Sequence, residues 1–308
     1  MKHESPYHNG ELAAQALAGV SEQADMIARV ILDYIRDDAM PFIAKQAMAI
    51  LGFQDSNGRL WASMIFGNPG FVSATDRHTL CLDLHKCYSS NEDLMWQQIE
   101  KSHLLGMLLI DLESRKRLRV NGQVLEKSNR EIVIHVDQSY GNCPKYIQSR
   151  RLQILPQQSD DKEYSQEGKH LSAELKSWIR RMDTFFVASA HPAHGLDVSH
   201  RGGFPGFVNV LNSRRLRIPD FSGNNMFNTL GNFLSFANAG LTFLDFENNR
   251  ILTLSGTPTI LWSAPDLANE GRGTTRFWEF EIEEWRTSDI PVKMSWQYLG
   301  ASPFIPTS

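Results

Sequence analysis

Apolar and polar residues alternate over many short stretches of this chain, which is the pattern of β-strands that bury one face. Gly, Pro, Asn and Asp, the residues that suit tight turns, separate these stretches. The pattern predicts strands at residues 79–84, 104–111, 117–124, 132–136, 216–218, 241–246, 251–254 and 278–282. So many short strands favour a barrel or a sandwich over a parallel sheet with alternating helices.

Two segments instead place apolar residues at helical spacing. The first runs from residue 11 to about residue 45, where Pro41 is expected to close it, and the second covers residues 171–179. A β-hairpin is predicted after each segment, because turn residues stand between two short apolar runs. These hairpins cover residues 47–64 and 185–199.

The two halves of the chain repeat each other. Gly-Asn-Pro-Gly-Phe-Val at residues 67–72 recurs 136 residues later as Gly-Phe-Pro-Gly-Phe-Val at residues 203–208. Further glycines keep nearly the same spacing, namely Gly58 with Gly195 and Gly122 with Gly256. Three matches in the same order indicate an internal duplication.

The length of the chain supports the same division. It has 308 residues, whereas a single domain usually has about 100–150. We therefore predict a mainly β, α+β protein with two tandem barrels. Residues 1–155 are expected to form a helical leader and a first barrel, residues 156–170 a polar linker, and residues 171–308 a second barrel. Hydrophobic residues make up 42% of the chain, so both barrels can bury a core.

Charge and cysteine content narrow the possible partners and the location. The formal net charge is −4, which argues against broad electrostatic binding to nucleic acid. No stretch approaches the roughly 18 apolar residues of a membrane span, so no membrane partner is expected. Cys81, Cys87 and Cys143 form neither a CxxC pair nor an even disulfide framework. This favours a reducing compartment, and we predict a cytoplasmic protein.

The two copies differ most clearly in their polar side chains at one place. Ser199, His200 and Arg201 of the second half stand where the first half has Ser-Met-Ile at residues 63–65. Arg201 suits an anion because its guanidinium is a planar fork of donors, and the neighbouring Gly202 lets a ligand approach the backbone. The second half is therefore the predicted site of phosphate binding.

A second anion-binding feature follows at residues 223–232, Gly-Asn-Asn-Met-Phe-Asn-Thr-Leu-Gly-Asn. Interpreted as the start of a helix, this run offers unpaired backbone N–H groups and the positive end of the helix dipole. The corresponding residues 88–93 of the first half carry carboxylates that would repel a phosphate. The alternative interpretation is that the asparagines of this run are only helix caps and turn formers.

These motifs resemble those of the pyridoxamine 5′-phosphate oxidase-related flavoproteins of the split-barrel fold. The similar residues are Asp-Val-Ser-His-Arg-Gly-Gly at 197–203, Pro-Gly-Phe-Val at 205–208, Ile-Pro-Asp at 218–220 and Gly-Asn at 223–224. The resemblance covers most of residues 180–262, and a weaker copy covers about residues 42–150. It implies two tandem split β-barrels, FMN as the cofactor and contacts to FMN from Ser199, Arg201, Asn225, Asn228, Thr229 and Asn232.

One departure from that family is visible. Many relatives have arginines directly after the Gly-Asn pair, where this chain has Asn225 and Met226. Phosphate binding would therefore rest on Arg201, backbone amides and neutral donors. Ser199 and His200 are expected along the ribityl chain or the edge of the flavin ring.

Flavoproteins of this fold commonly dimerise and hold the cofactor between subunits. The duplicated halves are expected to reproduce that arrangement in one chain, as a monomeric pseudo-dimer, although a homodimer is also compatible with the sequence. Residues 138–147 of the first half are the predicted facing wall, with Lys145 as a cofactor contact. The alternative is a packed interdomain segment with Lys145 in solvent.

The resemblance implies an FMN-dependent oxidoreductase that acts on a small-molecule substrate or with an electron donor such as NAD(P)H. No catalytic residue is assigned, because the flavin itself carries redox chemistry. Two alternatives remain open: a non-catalytic flavin carrier or sensor, and a haem-binding or haem-degrading split barrel with a histidine as axial ligand.

Three histidines, His191, His194 and His200, lie within ten residues. No Glu or Cys completes a ligand set at a recognisable spacing, and closed metal sites usually need three or four ligands. We therefore predict no metal site.

Overall fold

The computed structural model describes residues 5–88, 94–158, 165–270 and 272–306. Six α-helices lie in these ranges: α1 (Asn9–Leu17), α2 (Ser21–Ile27), α3 (Met40–Ala44), α4 (Leu94–Ser102), α5 (Ala173–Arg181) and α6 (Asn228–Ser235). None of them has the length and the hydropathy that crossing a bilayer requires. Most of the remaining described chain is β-strand.

The first half folds into one antiparallel sheet of eight strands. They are β1 (Met48–Gln54), β2 (Leu60–Gly67), β3 (Val72–Asp76), β4 (Thr79–Asp83), β5 (Cys87–Tyr88), β6 (Leu104–Asp111), β7 (Lys116–Lys127) and β8 (Glu131–Gly141). Their order across the sheet is β3-β4-β8-β7-β6-β1-β2-β5. Leu51, Phe53 and Ile65 belong to the apolar core of this half.

Two strands, β9 (Ser149–Gln158) and β10 (Gln166–Gly168), separate the halves. The second half contains β11 (Thr184–His191), β12 (Gly195–Gly202), β13 (Asn209–Val210), β14 (Arg215–Pro219), β15 (Ala239–Asp245), β16 (Arg250–Leu261), β17 (Phe277–Asp289) and β18 (Val292–Gly300). Its main sheet has the order β13-β14-β17-β16-β15-β11-β12. This matches the first sheet strand for strand from β3 to β2, and the predicted class of split barrels is confirmed.

The two halves share a third apolar core, which includes Ile50, Leu108, Phe186, Val198 and Leu244. Apolar side chains of both sheets are buried against each other there, so the contact resembles the interior of a domain.

Two glycines allow the sheets to approach closely at this contact. A Cβ added to Gly106 would lie 2.9 Å from the backbone nitrogen of Asp197, and one added to Gly240 would lie 2.5 Å from Cα of Trp61. Gly106 is in the first sheet and approaches the backbone of the second. Gly240 is in the second sheet and approaches the backbone of the first. The packing therefore has an approximate twofold relation.

Both ends of the chain cross to the other half. α1 packs against α6 through a glycine pair, since a Cβ on Gly231 would lie 2.6 Å from Cα of Glu11 and one on Gly10 would collide with the Gly231 carbonyl oxygen. At the other end, β18 pairs with β9 in a separate two-stranded sheet. The leader that the sequence assigns to the first barrel thus contacts the second.

Strand residues lie at both ends of residues 156–170, the segment that the sequence predicts to be a linker. Residues 156–158 complete β9, and Gln166–Gly168 form β10, which pairs with β17. Because β14 pairs with β17 only from Phe277 to Glu281, the edge of β17 near Trp285 has free backbone groups that β10 takes up. The intervening residues 159–164 lie outside the described ranges.

The first helical segment is also shorter than predicted. α1 ends at Leu17, and Gly19 turns the chain with a φ of 67°. Pro41 lies in the first turn of α3 and so begins a helix instead of ending one. Proline is tolerated there because N–H groups of a first turn have no helical acceptor.

Candidate functional site

A cleft between the two halves, here called the interbarrel cleft, gathers most of the candidate residues. β12 and the start of α6 form one wall, and β7 with the loop after β8 forms the other. The cavity inside measures about 90 Å³. Eight of the nine predicted cofactor residues border it, namely Ser199, His200, Arg201, Gly202, Asn225, Asn228, Thr229 and Lys145.

The α6 helix begins inside the cleft. Asn225 and Phe227 have left-handed backbones, with φ of 64° and 62°, and α6 starts at the next residue, Asn228. The predicted helix start at residues 223–232 is therefore an irregular turn as far as Phe227. First-turn N–H groups have no helical acceptor, so the end of α6 that borders the cleft carries partial positive charge.

Cations dominate the border of the interbarrel cleft. Its cationic residues are Arg117, Arg119, Lys145, Arg201 and Arg276. Among the described residues that border it, Asp220 is the only carboxylate. Asp220 accepts hydrogen bonds from Arg201 Nη1 at 2.8 Å and from Arg276 Nε at 2.7 Å. The excess of cations makes the cleft attractive to anions.

Arg119 is the centre of a buried hydrogen-bond network. Its Nη1 donates to Asp197 Oδ2 at 3.1 Å and to Asn228 Oδ1 at 3.0 Å, and its Nη2 donates to Ser199 Oγ at 2.7 Å. The Tyr140 hydroxyl donates to Asp197 Oδ1 at 3.1 Å. Burial raises the pKa of Tyr140 further above its ordinary value, so the hydroxyl keeps its proton. Arg119 of the first half thus holds two candidate residues of the second.

Arg117 on β7 and His200 on β12 border the cleft from opposite walls. Arg117 Nη2 donates to the Cys143 carbonyl oxygen at 2.7 Å, and burial, together with Arg119, lowers the pKa of Arg117 to about 9. Burial and two neighbouring arginines hold the pKa of His200 well below its ordinary value. His200 is therefore neutral, and its two buried ring nitrogens have no hydrogen-bond partner among the described residues.

Asn232 is the one predicted cofactor residue that does not border the cleft. Its Nδ2 donates to Ser189 Oγ at 2.9 Å, and its Oδ1 lies 2.8 Å from His8 Nε2. The residue therefore links α6 to β11 and to the N-terminal segment. Asn232 lies inside α6, so it is neither a helix cap nor a turn residue.

The facing wall is only partly where the sequence places it. Residues 138–141 of the predicted wall belong to β8, and the following loop reaches the second half. There the Tyr146 hydroxyl donates to the Ser222 carbonyl oxygen at 2.7 Å. Lys145 is half-buried, and its ammonium lies 5.8 Å from the centre of the Phe304 ring. Lys145 borders the cleft and is not a freely solvated side chain.

Sequence patterns do not reveal Arg117, Arg119 or Arg276 as site residues. Arg117 and Arg119 lie in a predicted strand of the first copy, and nothing in their spacing shows which half they face. Comparison of the two copies could have pointed to Arg119, because Thr253 occupies the equivalent position in the second sheet. Arg119 pairs with Leu108, and Thr253 pairs with Thr242, 134 residues later in each case.

The histidines near residue 191 pack together instead of facing the cleft. The ring centres of His8 and His191 are 4.2 Å apart, and those of His191 and His194 are 4.7 Å apart. Within the described ranges, no group of three His, Cys, Asp or Glu side chains is arranged to hold a metal ion.

No protein-family model and no curated protein sequence matches this chain. Solved structures match it at low similarity. A putative pyridoxamine 5′-phosphate oxidase from Lactobacillus delbrueckii is 15% identical with a TM-score of 0.32, covering 38% of this chain and 94% of its own. HupZ from group A Streptococcus is 15% identical with a TM-score of 0.29, covering 43% and 98%.

HutZ, the heme storage protein from Vibrio cholerae, is 12% identical with a TM-score of 0.25 and covers 44% of this chain and 99% of its own. Each match spans less than half of this chain. The likeness concerns the fold alone. What these proteins bind or catalyse therefore says nothing direct about the interbarrel cleft.

Glu11 of α1 lies directly behind the cleft. Its side chain accepts hydrogen bonds from Asn228 Nδ2 and, at 2.9 Å, from the His8 backbone N–H. Burial raises the pKa of Glu11 to about 7, and burial lowers the pKa of the neighbouring His8 to about 4. The start of α6 is thus coupled to a carboxyl group that titrates near neutral pH.

A pH-dependent stability follows from Glu11. Because its pKa is higher in the folded chain, the stability that its proton provides is fully present below about pH 4.5 and is lost as the pH rises through about 7. His8 acts in the opposite sense, since its lowered pKa makes stability rise between about pH 4 and 6.5. Glu11→Gln removes the loss of stability that Glu11 causes as the pH rises. Between about pH 4.5 and 6.5 we therefore expect the stability of the variant to rise more steeply than that of the unchanged protein.

Urea denaturation at pH 4.5, 5.5, 6.5 and 7.5 measures this difference. Glu22→Gln, on the exposed face of α2, is the matched control and should follow the unchanged protein. Parallel curves for Glu11→Gln and the unchanged protein would show that Glu11 has an ordinary pKa.

Proposed function

We propose that the interbarrel cleft binds FMN through its phosphate, and that the protein is a flavin-dependent oxidoreductase related to the pyridoxamine 5′-phosphate oxidases. The observation that carries this proposal is the meeting of five cationic side chains and the start of α6 in one cleft. An anionic group bound there would be neutralised by charge and by backbone N–H groups together.

The residues at the cleft fit a phosphate group. The Nε atoms of Arg117 and Arg201 are buried and have no acceptor among the described residues, and buried donors usually have one. The cavity of about 90 Å³ is smaller than the roughly 300–1,000 Å³ of sites that enclose a drug-sized ligand. The cleft can therefore enclose the phosphate of FMN, while the rest of the molecule has to lie outside it.

Each part of the chain would have a distinct role with the cofactor. FMN, when bound, supplies the redox chemistry. Arg117 and Arg201 would hold the phosphate, and the Arg119 network would keep Ser199 and Asn228 in place. His200 is neutral and would add no charge beside Arg117 and Arg201. Lys145 and Tyr146 come from the first half and would limit access from that side.

We further propose that the halves are copies of one ancestral barrel and act as a pseudo-dimer with a single site. The positions equivalent to His200 and Arg201 are Met64 and Ile65, which are buried in apolar cores. No second cation cluster is built from them. The proposal therefore specifies one FMN per chain, which titration of the purified protein with FMN would measure.

Replacing Arg201 tests the phosphate site. We expect Arg201→Ala to weaken FMN binding by about 1.5–3 kcal/mol, the loss of a charged hydrogen bond. Arg217→Ala is the control, because Arg217 pairs with Glu279 at 2.9 Å outside the cleft. Ile65→Ala is unsuitable as a control since Ile65 is fully buried and its truncation would create a cavity. Equal losses for Arg201→Ala and Arg217→Ala would contradict the assignment.

The absorption spectrum of the protein after addition and removal of excess FMN tests the cofactor itself. Retained flavin bands would support the proposal, and a colourless protein would remove it. Turnover of retained FMN with NAD(P)H would then distinguish an enzyme from a flavin carrier or sensor. A Soret band after addition of haem that is lost on replacing His200, a histidine that borders the cleft, would instead support the haem alternative.

A further inference from the structure

A larger cavity lies at the far end of the first half. It occupies about 700 Å³ between the first barrel and the two-stranded sheet of β9 and β18, and we call it the ribbon cavity. α3, the start of β1 and the β6–β7 turn form its barrel side. The interbarrel cleft has none of these residues on its border. The volume is in the range of about 300–1,000 Å³ that is typical of small-molecule sites.

Much of the lining of the ribbon cavity is apolar. Met48, Ile110 and Leu112 contribute from the barrel, and all three are buried. Leu152 and Trp296 face them from the two-stranded sheet. Such a lining favours the apolar body of a ligand over a fully polar molecule, because it removes hydrocarbon from water.

Two of the three cationic side chains at the ribbon cavity have no carboxylate partner in the described part of the chain. Lys45 and Lys116 border it and form no ion pair within the described part of the chain. Arg150 is held by Asp183 through Nη2 at 2.6 Å and lies 4.0 Å from the centre of the Phe246 ring. Its Nη1 is buried without an acceptor among the described residues, and the same is true of Trp296 Nε1.

The carboxylates at the ribbon cavity already have partners. Asp38 pairs with Arg36 at 2.8 Å, and Glu113 pairs with Arg151 at 2.6 Å. Asp111 closes the β6–β7 turn and accepts from the Ser114 hydroxyl at 2.5 Å. The negative groups are therefore engaged with protein donors, whereas the lysines and two buried N–H groups are not.

We propose that the ribbon cavity binds an amphipathic anion, a small molecule with one carboxylate on an apolar body. The apolar lining takes the body, and the carboxylate lies at the border formed by Lys45 and Lys116. This site is separate from the proposed flavin site and does not depend on it.

Titration of the full chain with decanoate tests this proposal, with tryptophan fluorescence as the readout. We expect a saturable change that is absent in Trp296→Phe, because Trp296 borders the cavity. Decyltrimethylammonium has the same chain length and the opposite charge, and it should bind more weakly. Replacing Lys45 and Lys116 together by Gln should weaken decanoate binding about tenfold. Lys293→Gln is the control, since Lys293 is an exposed residue of β18 that does not border the cavity.

Three results of the decanoate titration would overturn the proposal. They are the absence of saturable decanoate binding, equal affinity for the cationic amphiphile, and an unchanged affinity in the double lysine variant. Calorimetric competition between decanoate and FMN serves as a further check, because the two ligands should bind independently. Loss of decanoate binding on adding FMN would place both in the interbarrel cleft instead.

Discussion

Replacing Arg119 by Met is expected to lower the free energy of unfolding by about 3–5 kcal/mol, the usual cost of removing one partner of a buried ion pair. The side chains of Arg119 and Asp197 are 8% and 6% exposed, so the carboxylate left behind cannot recover its hydration. Ser199 and Asn228 would lose a donor at the same time.

Urea denaturation of four proteins separates the ion pair from the packing: the unchanged chain, Arg119→Met, Asp197→Asn and the double variant. The double variant should be more stable than Arg119→Met alone, because it leaves no buried charge uncompensated. Strictly additive losses would mean that the two groups do not interact. A loss below about 1 kcal/mol in Arg119→Met would mean that water reaches Asp197.

Gly240→Ala is expected to cost about 3 kcal/mol or more, at the upper end of overpacking effects. The new Cβ would lie 2.5 Å from Cα and from the carbonyl carbon of Trp61, and 2.8 Å from the nitrogen of Ala62. These are backbone atoms near the start of β2, so no rotamer change can relieve the clash. The two sheets would have to separate, and the shared apolar core would lose contacts.

Gly141→Ala is the matched control for Gly240→Ala. A Cβ at Gly141 meets its nearest neighbour, the Arg117 carbonyl oxygen, at 3.9 Å, which is ordinary contact. Its stability should stay within about 1 kcal/mol of the unchanged protein. If Gly240→Ala were equally mild in thermal and urea denaturation, the sheets would not be in contact at this position.

The sequence predicts many of the strands in each barrel, because apolar and polar residues alternate in a strand that buries one face. The predicted bounds of β6 agree with the structure, and so do the predicted positions of both hairpins. β9 and β18 were not predicted as strands. Their pairing joins segments about 140 residues apart, and such a partner has no local signature.

The candidate site was readable only where the two copies differ. Ser199, His200 and Arg201 stand out because the first copy has a different sequence there, and all three border one cleft. Asn232 follows the same motif but faces His8 and Ser189, since a motif does not say which side of a helix faces the ligand. The sequence does not point to Glu11 either, because its contact with Asn228 spans 217 residues.

The two walls of the interbarrel cleft belong to one chain, so dilution of the protein does not separate them. A cleft formed between separate subunits is lost when the protein concentration falls below their dissociation constant. Here Arg119 and Asn228 belong to the same chain, so the walls meet at an effective concentration that is roughly millimolar even for a loose tether. Ligand affinity at this cleft should therefore be the same in nanomolar and micromolar solutions of the protein.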